Sequence, residues 1–170
     1  MQKIKILGTG LLLMAFAACG NNQSTSGTAA ATSTPDTTAT AAAAQTPNSF
    51  TVEANDQMQF DVTTMTAKAG TPITIILKDV GTAPKLAMGH DLVVLKQGTD
   101  VNAFDQAAQQ AQATDYIPGG AQGANIVAHT KLLGPGESDT ITFTLQPGTY
   151  DYLCSFPGHA ATMKGKLTVQ

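Results

Sequence analysis

From Phe50 onward the chain alternates short β-rich stretches with turn signals; ahead of Phe50 that pattern is absent. Residues 71–78, 91–95, 139–145, 148–154 and 165–169 are short and rich in β-branched and aromatic side chains, as strands are. Gly70, Gly81, Pro135-Gly136 and Pro147-Gly148 punctuate them. Within 139–145, Ile141, Phe143 and Leu145 alternate with Thr142 and Thr144, which suits a strand with one buried face. The expected fold is all-β, a Greek-key sandwich or barrel. Residues 100–113 interrupt the pattern: Val101, Phe104, Ala107, Ala108 and Ala111 recur at helical spacing, which predicts one helix inserted between strands and packed on the barrel's side.

The first 49 residues read differently. Lys3 and Lys5 precede an apolar stretch from Ile6 to Ala18 that is too short to span a bilayer, the pattern of an export signal. The run Phe16-Ala17-Ala18-Cys19-Gly20 resembles a bacterial lipoprotein cleavage box, in which the cysteine becomes the lipidated first residue. Phe16 stands where such boxes usually carry leucine. Ordinary signal cleavage after Ala17 or Ala18 is the competing reading, and the polar tail that begins right after Cys19 favours the tether. Residues 20–48 are almost entirely Ala, Thr, Ser, Asn, Gln and Gly, too poor in bulky apolar surface to repay ordering. A flexible linker of this length reaches about 30 Å. The expected organisation is therefore a signal over 1–18, a lipid-anchored linker over 19–49 and one folded domain over 50–170, about 120 residues and near the usual domain size.

Charge narrows the partners. All nine cationic residues are lysines, outnumbered by twelve carboxylates, and no basic run could follow a phosphate backbone, so nucleic acid is excluded as a partner. Removing residues 1–18 takes away two lysines and leaves seven against twelve, a balance of −5. With Cys19 consumed by processing, Cys154 is alone and forms no internal disulfide.

The chemistry concentrates near the C-terminus. The run Cys154-Ser155-Phe156-Pro157-Gly158-His159-Ala160-Ala161-Thr162-Met163 places a thiolate, an imidazole and a thioether on one loop, since Pro157-Gly158 cannot continue a central strand. Soft sulfur with imidazole favours copper, and two histidines with one cysteine and a weak axial methionine mark electron-transfer copper. The second histidine comes from Met88-Gly89-His90, 64 residues before Cys154.

On these residues the chain resembles the azurin and auracyanin type of blue copper protein, the cupredoxins. The resemblance covers residues 50–170 and includes the runs Asn55 to Phe60, Met88 to His90, Ala128 to Gly134, Phe156 to His159 and Met163 to Gly165. It implies a cupredoxin fold with one copper ion cycling between Cu(II) and Cu(I). His90, Cys154 and His159 would be the strong ligands, Met163 a weak axial ligand, and the Gly89 carbonyl a second weak one opposite. Backbone N–H groups of Asp91 and Phe156 would donate to the thiolate and raise the reduction potential. Asp91 departs from the asparagine usual there, whose side chain braces the two ligand loops; a carboxylate offers no amide donor, so a lower or pH-dependent potential is expected. The disulfide near the start of the azurin domain is missing. In this family the later histidine reaches the surface inside an apolar patch, here composed of Ala87, Met88, Phe156, Pro157, Gly158, Ala160 and Ala161, with Thr162 making it slightly more polar. The implied partners are redox proteins, cytochromes or a membrane electron-transfer complex, docking near His159 of an exported, lipid-tethered monomer.

Taken singly, a cysteine or methionine is usually a core residue; only the joint spacing points to metal. His129 reads as an exposed surface histidine, Met58, Met65 and Phe60 as core or strand residues, and Lys164 and Lys166 as solvated. Catalysis lacks a recognisable residue set. Three histidines, two already assigned, leave none for the second metal centre of a copper enzyme. The rival function is a periplasmic copper carrier or store, which open Met- or His-rich sites would mark.

Overall fold

A computed structural model describes residues 47–170. The expected signal over 1–18, Cys19 and nearly all of the linker lie outside the described residues. The folded region begins slightly earlier than Phe50: strand β1 (Ser49–Asn55) includes Ser49, and the Asn48 side chain accepts from Lys68 N at 2.6 Å and donates to Thr71 Oγ1 at 2.6 Å.

Among the described residues, nine strands form two sheets. The first has the order β2 (Gln59–Phe60), β1, β4 (Ile73–Asp79), β7 (Ser138–Phe143). The second has the order β3 (Thr64–Ala67), β9 (Lys164–Val169), β8 (Gly148–Leu153), β5 (Val93–Leu95), β6 (Ile126–His129). The β1–β4 and β3–β9 pairs are parallel and the rest antiparallel. Alternation explains the inner faces: Phe50, Val52 and Ala54 of β1, Ile73, Ile75 and Leu77 of β4, and Leu167 and Val169 of β9 all point into one core with Phe60, Met65, Tyr152 and Met163. Tyr152 is buried in it because its hydroxyl donates to Val62 O at 2.7 Å.

β5 is buried at all three positions, so it needs cover on both faces. Val93 and Leu95, with Leu153 of β8, face outward into a smaller cluster closed by Phe104 and Ala108. Those two belong to helix α2 (Val101–Gln109), the inserted helix, which is shorter than the 100–113 span of the pattern. Asp100 starts it by accepting from Asn102 N at 2.9 Å and Ala103 N at 3.1 Å, leaving fewer orphan donors. Two single-turn helices, α1 (Lys85–Met88) and α3 (Gly120–Gly123), and 3-10 turns at Gln112–Thr114 and His159–Ala161 accompany it, beyond the one helix expected. Among the described residues Cys154 is a buried free thiol.

The antiparallel pairing of β5 with β8 decides where the site falls. Val93 sits opposite Leu153, so the residues entering β5 and those leaving β8 share one edge of the sandwich.

Candidate metal centre

His90 and Cys154 arrive on those two neighbouring segments. An isolated antiparallel bridge with Leu133 fixes the His90 backbone, with His90 N donating to Leu133 O at 3.1 Å and Leu133 N to His90 O at 2.7 Å. Cys154 N donates to Met163 O at 3.0 Å and Met163 N to His159 O at 2.8 Å, closing the loop between them. Gly158, at φ 83°, turns the chain into the 3-10 turn that carries His159, a conformation open to glycine.

The side chains of His90, Cys154 and His159 converge, each offering a ligand atom within 4.8 Å of the others, and all three are buried. Cys154 Sγ lies 3.5 Å from His159 Nδ1, and the two imidazole rings are 5.0 Å apart at 38°. Met163 is wholly buried beside them in the chain.

The arrangement fits a metal. Both ring nitrogens of His90 are buried without a hydrogen-bond partner; the Asn55 carbonyl faces the ring and favours its charged form, but outside hydrogen-bonding geometry. Polar atoms left bare in a core are costly, and a coordinated ion satisfies one of these. Burial keeps both imidazoles neutral. It lowers His159 to about 4, helped by the neighbouring His90. His90 is lowered by burial too, against the opposing charges of Asp79 and Asp56. Neutral imidazole is the coordinating form. The Cys154 thiol is pushed well up, first by burial and then by the Asp91 charge, while the backbone N–H groups of Asp91 and Phe156 favour the thiolate. A bound cation reverses that balance and holds the sulfur deprotonated.

Asp91 braces the two ligand segments despite lacking an amide donor. Ser155 supplies both donors, its N–H at 2.6 Å from Oδ1 and its hydroxyl to Oδ2. Burial raises the Asp91 carboxyl to about 6, with the Ser155 bonds acting against the rise. Ser155 carries no metal-binding chemistry, and only its place after Cys154 could have singled it out.

Gly89 has a different visible reason for being glycine than approach to a metal. A Cβ there would lie 2.7 Å from the Lys85 carbonyl oxygen and 3.0 Å from Leu132 Cγ. Small size is demanded by the turn before it.

The surface around the site also differs in detail. His159 is only 2% exposed, so the ring stays beneath its neighbours and does not itself form the surface. Phe156 and Ala160 are buried with it, whereas Ala87, Gly158, Ala161 and Thr162 are exposed. Leu86, on α1 four positions before His90, is 93% exposed, the most exposed large apolar side chain among the described residues. Met58 is not a core residue: it is 36% exposed at φ 54°, and its carbonyl accepts from Thr162 Oγ1 at 2.9 Å. Met65 and Phe60 are buried and His129 is exposed. Lys164 and Lys166 are exposed, and Lys166 lies 2.6 Å from Asp151.

Two sheets that deliver two histidines and a cysteine to one buried point define a β-sandwich protein with a single mononuclear metal centre. Copper binding proteins of the plastocyanin/azurin family match residues 47–170, and the chain belongs to that family. Azurin of Achromobacter denitrificans is 42% identical over 122 residues, covering 69% of this chain and 80% of that one. Outer membrane protein H.8 of Neisseria gonorrhoeae is 43% identical over 123 residues, 70% of this chain; the match spans 66% of the length of that relative. The structure of dithionite-reduced auracyanin from Roseiflexus castenholzii superposes with a TM-score of 0.64 at 38% identity, covering 72% of this chain and 97% of that one.

Proposed function

We propose that this protein carries one electron at a time on a single copper ion that His90, Cys154 and His159 would hold, with the Met163 thioether and the Gly89 carbonyl as further, weaker donors. The observation that carries the reading is the convergence of three buried N, S and N donor atoms within 4.8 Å, one imidazole having both nitrogens unpartnered. When bound, copper supplies the Cu(II)/Cu(I) couple. The chain does the rest: the Leu133 bridge and the Asp91–Ser155 pair hold the donors in place, which limits rearrangement as charge changes. Backbone N–H groups of Asp91 and Phe156 withdraw density from the sulfur, and the packed core excludes water from it.

Partners dock over His159, on the surface formed by Leu86, Ala87, Gly158 and Ala161. Small apolar contacts of this kind suit a brief encounter with another redox protein, a cytochrome or a membrane complex. The protein is exported and tethered by a lipid on Cys19; the outer-membrane name of the H.8 relative supports that placement.

The test is the visible spectrum of the purified protein with Cu(II). An intense blue band that bleaches reversibly with a mild reductant and is missing from Cys154→Ala is the expected result. A pale complex, or one that loses its metal on reduction, overturns the electron carrier and points to copper delivery.

A further inference from the structure

A chain of aromatic contacts leaves the metal centre for a distant loop. The Tyr116 ring stands edge-on to Phe156, with centroids 5.1 Å apart at 69°. Phe156 lies 4.7 Å from His159, and His159 lies 5.0 Å from His90. Tyr116 is half-buried against the main core and comes from the segment after α2, 38 residues before Cys154.

The local backbone is shaped to hold that ring. Asp115 at φ 52° and Tyr116 at φ 64° are consecutive left-handed residues, and neither is glycine. Such conformations are disfavoured and persist only where the surroundings over-determine them. Here they do: Tyr116 N donates to Ala111 O at 2.9 Å, Asp115 N to Gln112 O at 3.2 Å and Ile117 N to Thr114 O at 3.1 Å. The Thr114 hydroxyl shares its proton between the carbonyls of Ile117 at 2.7 Å and Ala111 at 3.0 Å.

What Tyr116 touches is the residue with two duties at the centre. The N–H of Phe156 favours the Cys154 thiolate, and its carbonyl accepts from His159 N at 3.0 Å, starting the turn that carries the ligand. We infer that Tyr116 is a positioning residue for the metal centre, pinning Phe156 and through it the amide on the sulfur and the His159 turn. The ring does this and not the hydroxyl, because the contact is edge to face. Its effect on a copper centre rests on the function proposed above; its effect on Phe156 does not.

The experiment therefore begins with the metal-free full chain. Amide hydrogen exchange is followed at Phe156 and His159, with Val52 in the middle of β1 reporting global opening. Tyr116→Ala should speed exchange at Phe156 by about tenfold relative to Val52, the upper scale of one aromatic contact, and Tyr116→Phe should restore it. In the copper-loaded protein Tyr116→Ala should lower the reduction potential and shift the blue band, again with rescue by phenylalanine. Exchange that rises equally at Phe156 and Val52 means that Tyr116 only fills the core, and overturns the proposal. So does a phenylalanine variant that fails to rescue. Because the exchange is read without metal, a missing blue band would refute the copper reading while leaving this result standing.

Discussion

The carboxylate of Asp91 takes both donors of Ser155, joining the residue after one histidine ligand to the residue after the cysteine ligand. Both partners are buried, so each depends on the other for its hydrogen bonds. Ser155→Ala should remove the hydroxyl bond to a charged partner and cost about 1.5–3 kcal/mol in the metal-free protein, measured by urea denaturation. Asp91→Asn should cost much less, since the amide can donate to the Ser155 hydroxyl while its oxygen still accepts the backbone N–H.

Acid should destabilise the metal-free protein below about pH 6.5. His159, held at about 4, and His90, also lowered, bind protons more readily once unfolded, so their stability contribution is full above the unfolded value and falls as pH drops. Asp91 acts in the opposite sense: raised to about 6 in the fold, it binds its proton more readily when folded, and so gains stability as pH falls from about 6 towards 3.8. The two histidines outweigh one carboxyl. Urea midpoints across pH 4–7 should therefore fall with acidification, and fall more steeply in Asp91→Asn.

Gly89→Ala separates two reasons for glycine beside a ligand. The added methyl meets the Lys85 carbonyl and Leu132, so the metal-free protein itself should lose about 1–3 kcal/mol. Thermal unfolding without metal shows this directly; an unchanged midpoint would mean that α1 yields easily.

Leu86→Ser should leave stability within about 0.5 kcal/mol, because the side chain is 93% exposed. Electron self-exchange, read from NMR line widths in mixtures of the two oxidation states, should slow if this residue lines the docking face. A rate equal to that of the native protein would place docking elsewhere.

Much of the fold is written in local pattern. The strong alternation of β4 and the Val101, Phe104 and Ala108 spacing of α2 are visible in the chain because each element buries one regular face. β2, β3 and β6 are shorter or more mixed, and their pairing with distant strands gives them an identity that no local window carries. The metal residues stand out for a related reason: Cys154, His159 and Met163 fall within ten consecutive positions, a cluster with a chemical meaning of its own. Ser155, Tyr116 and Leu86 do not stand out. The first two matter only through what lies opposite them, and a leucine is assumed to point inward until the chain around it is seen.

β3 lies beside β9, pairing Thr64 with Lys166 and Ala67 with Val169, so closing the second sheet joins segments about a hundred residues apart. Contacts of such range make for slow, late assembly. Met163 ends the segment that feeds β9, and the backbone bonds that shape its loop are made by the protein alone. A change that loosens β3 from β9 should therefore reach Met163 through the strand that begins one residue after it, and so disturb the site from the far side of the sheet.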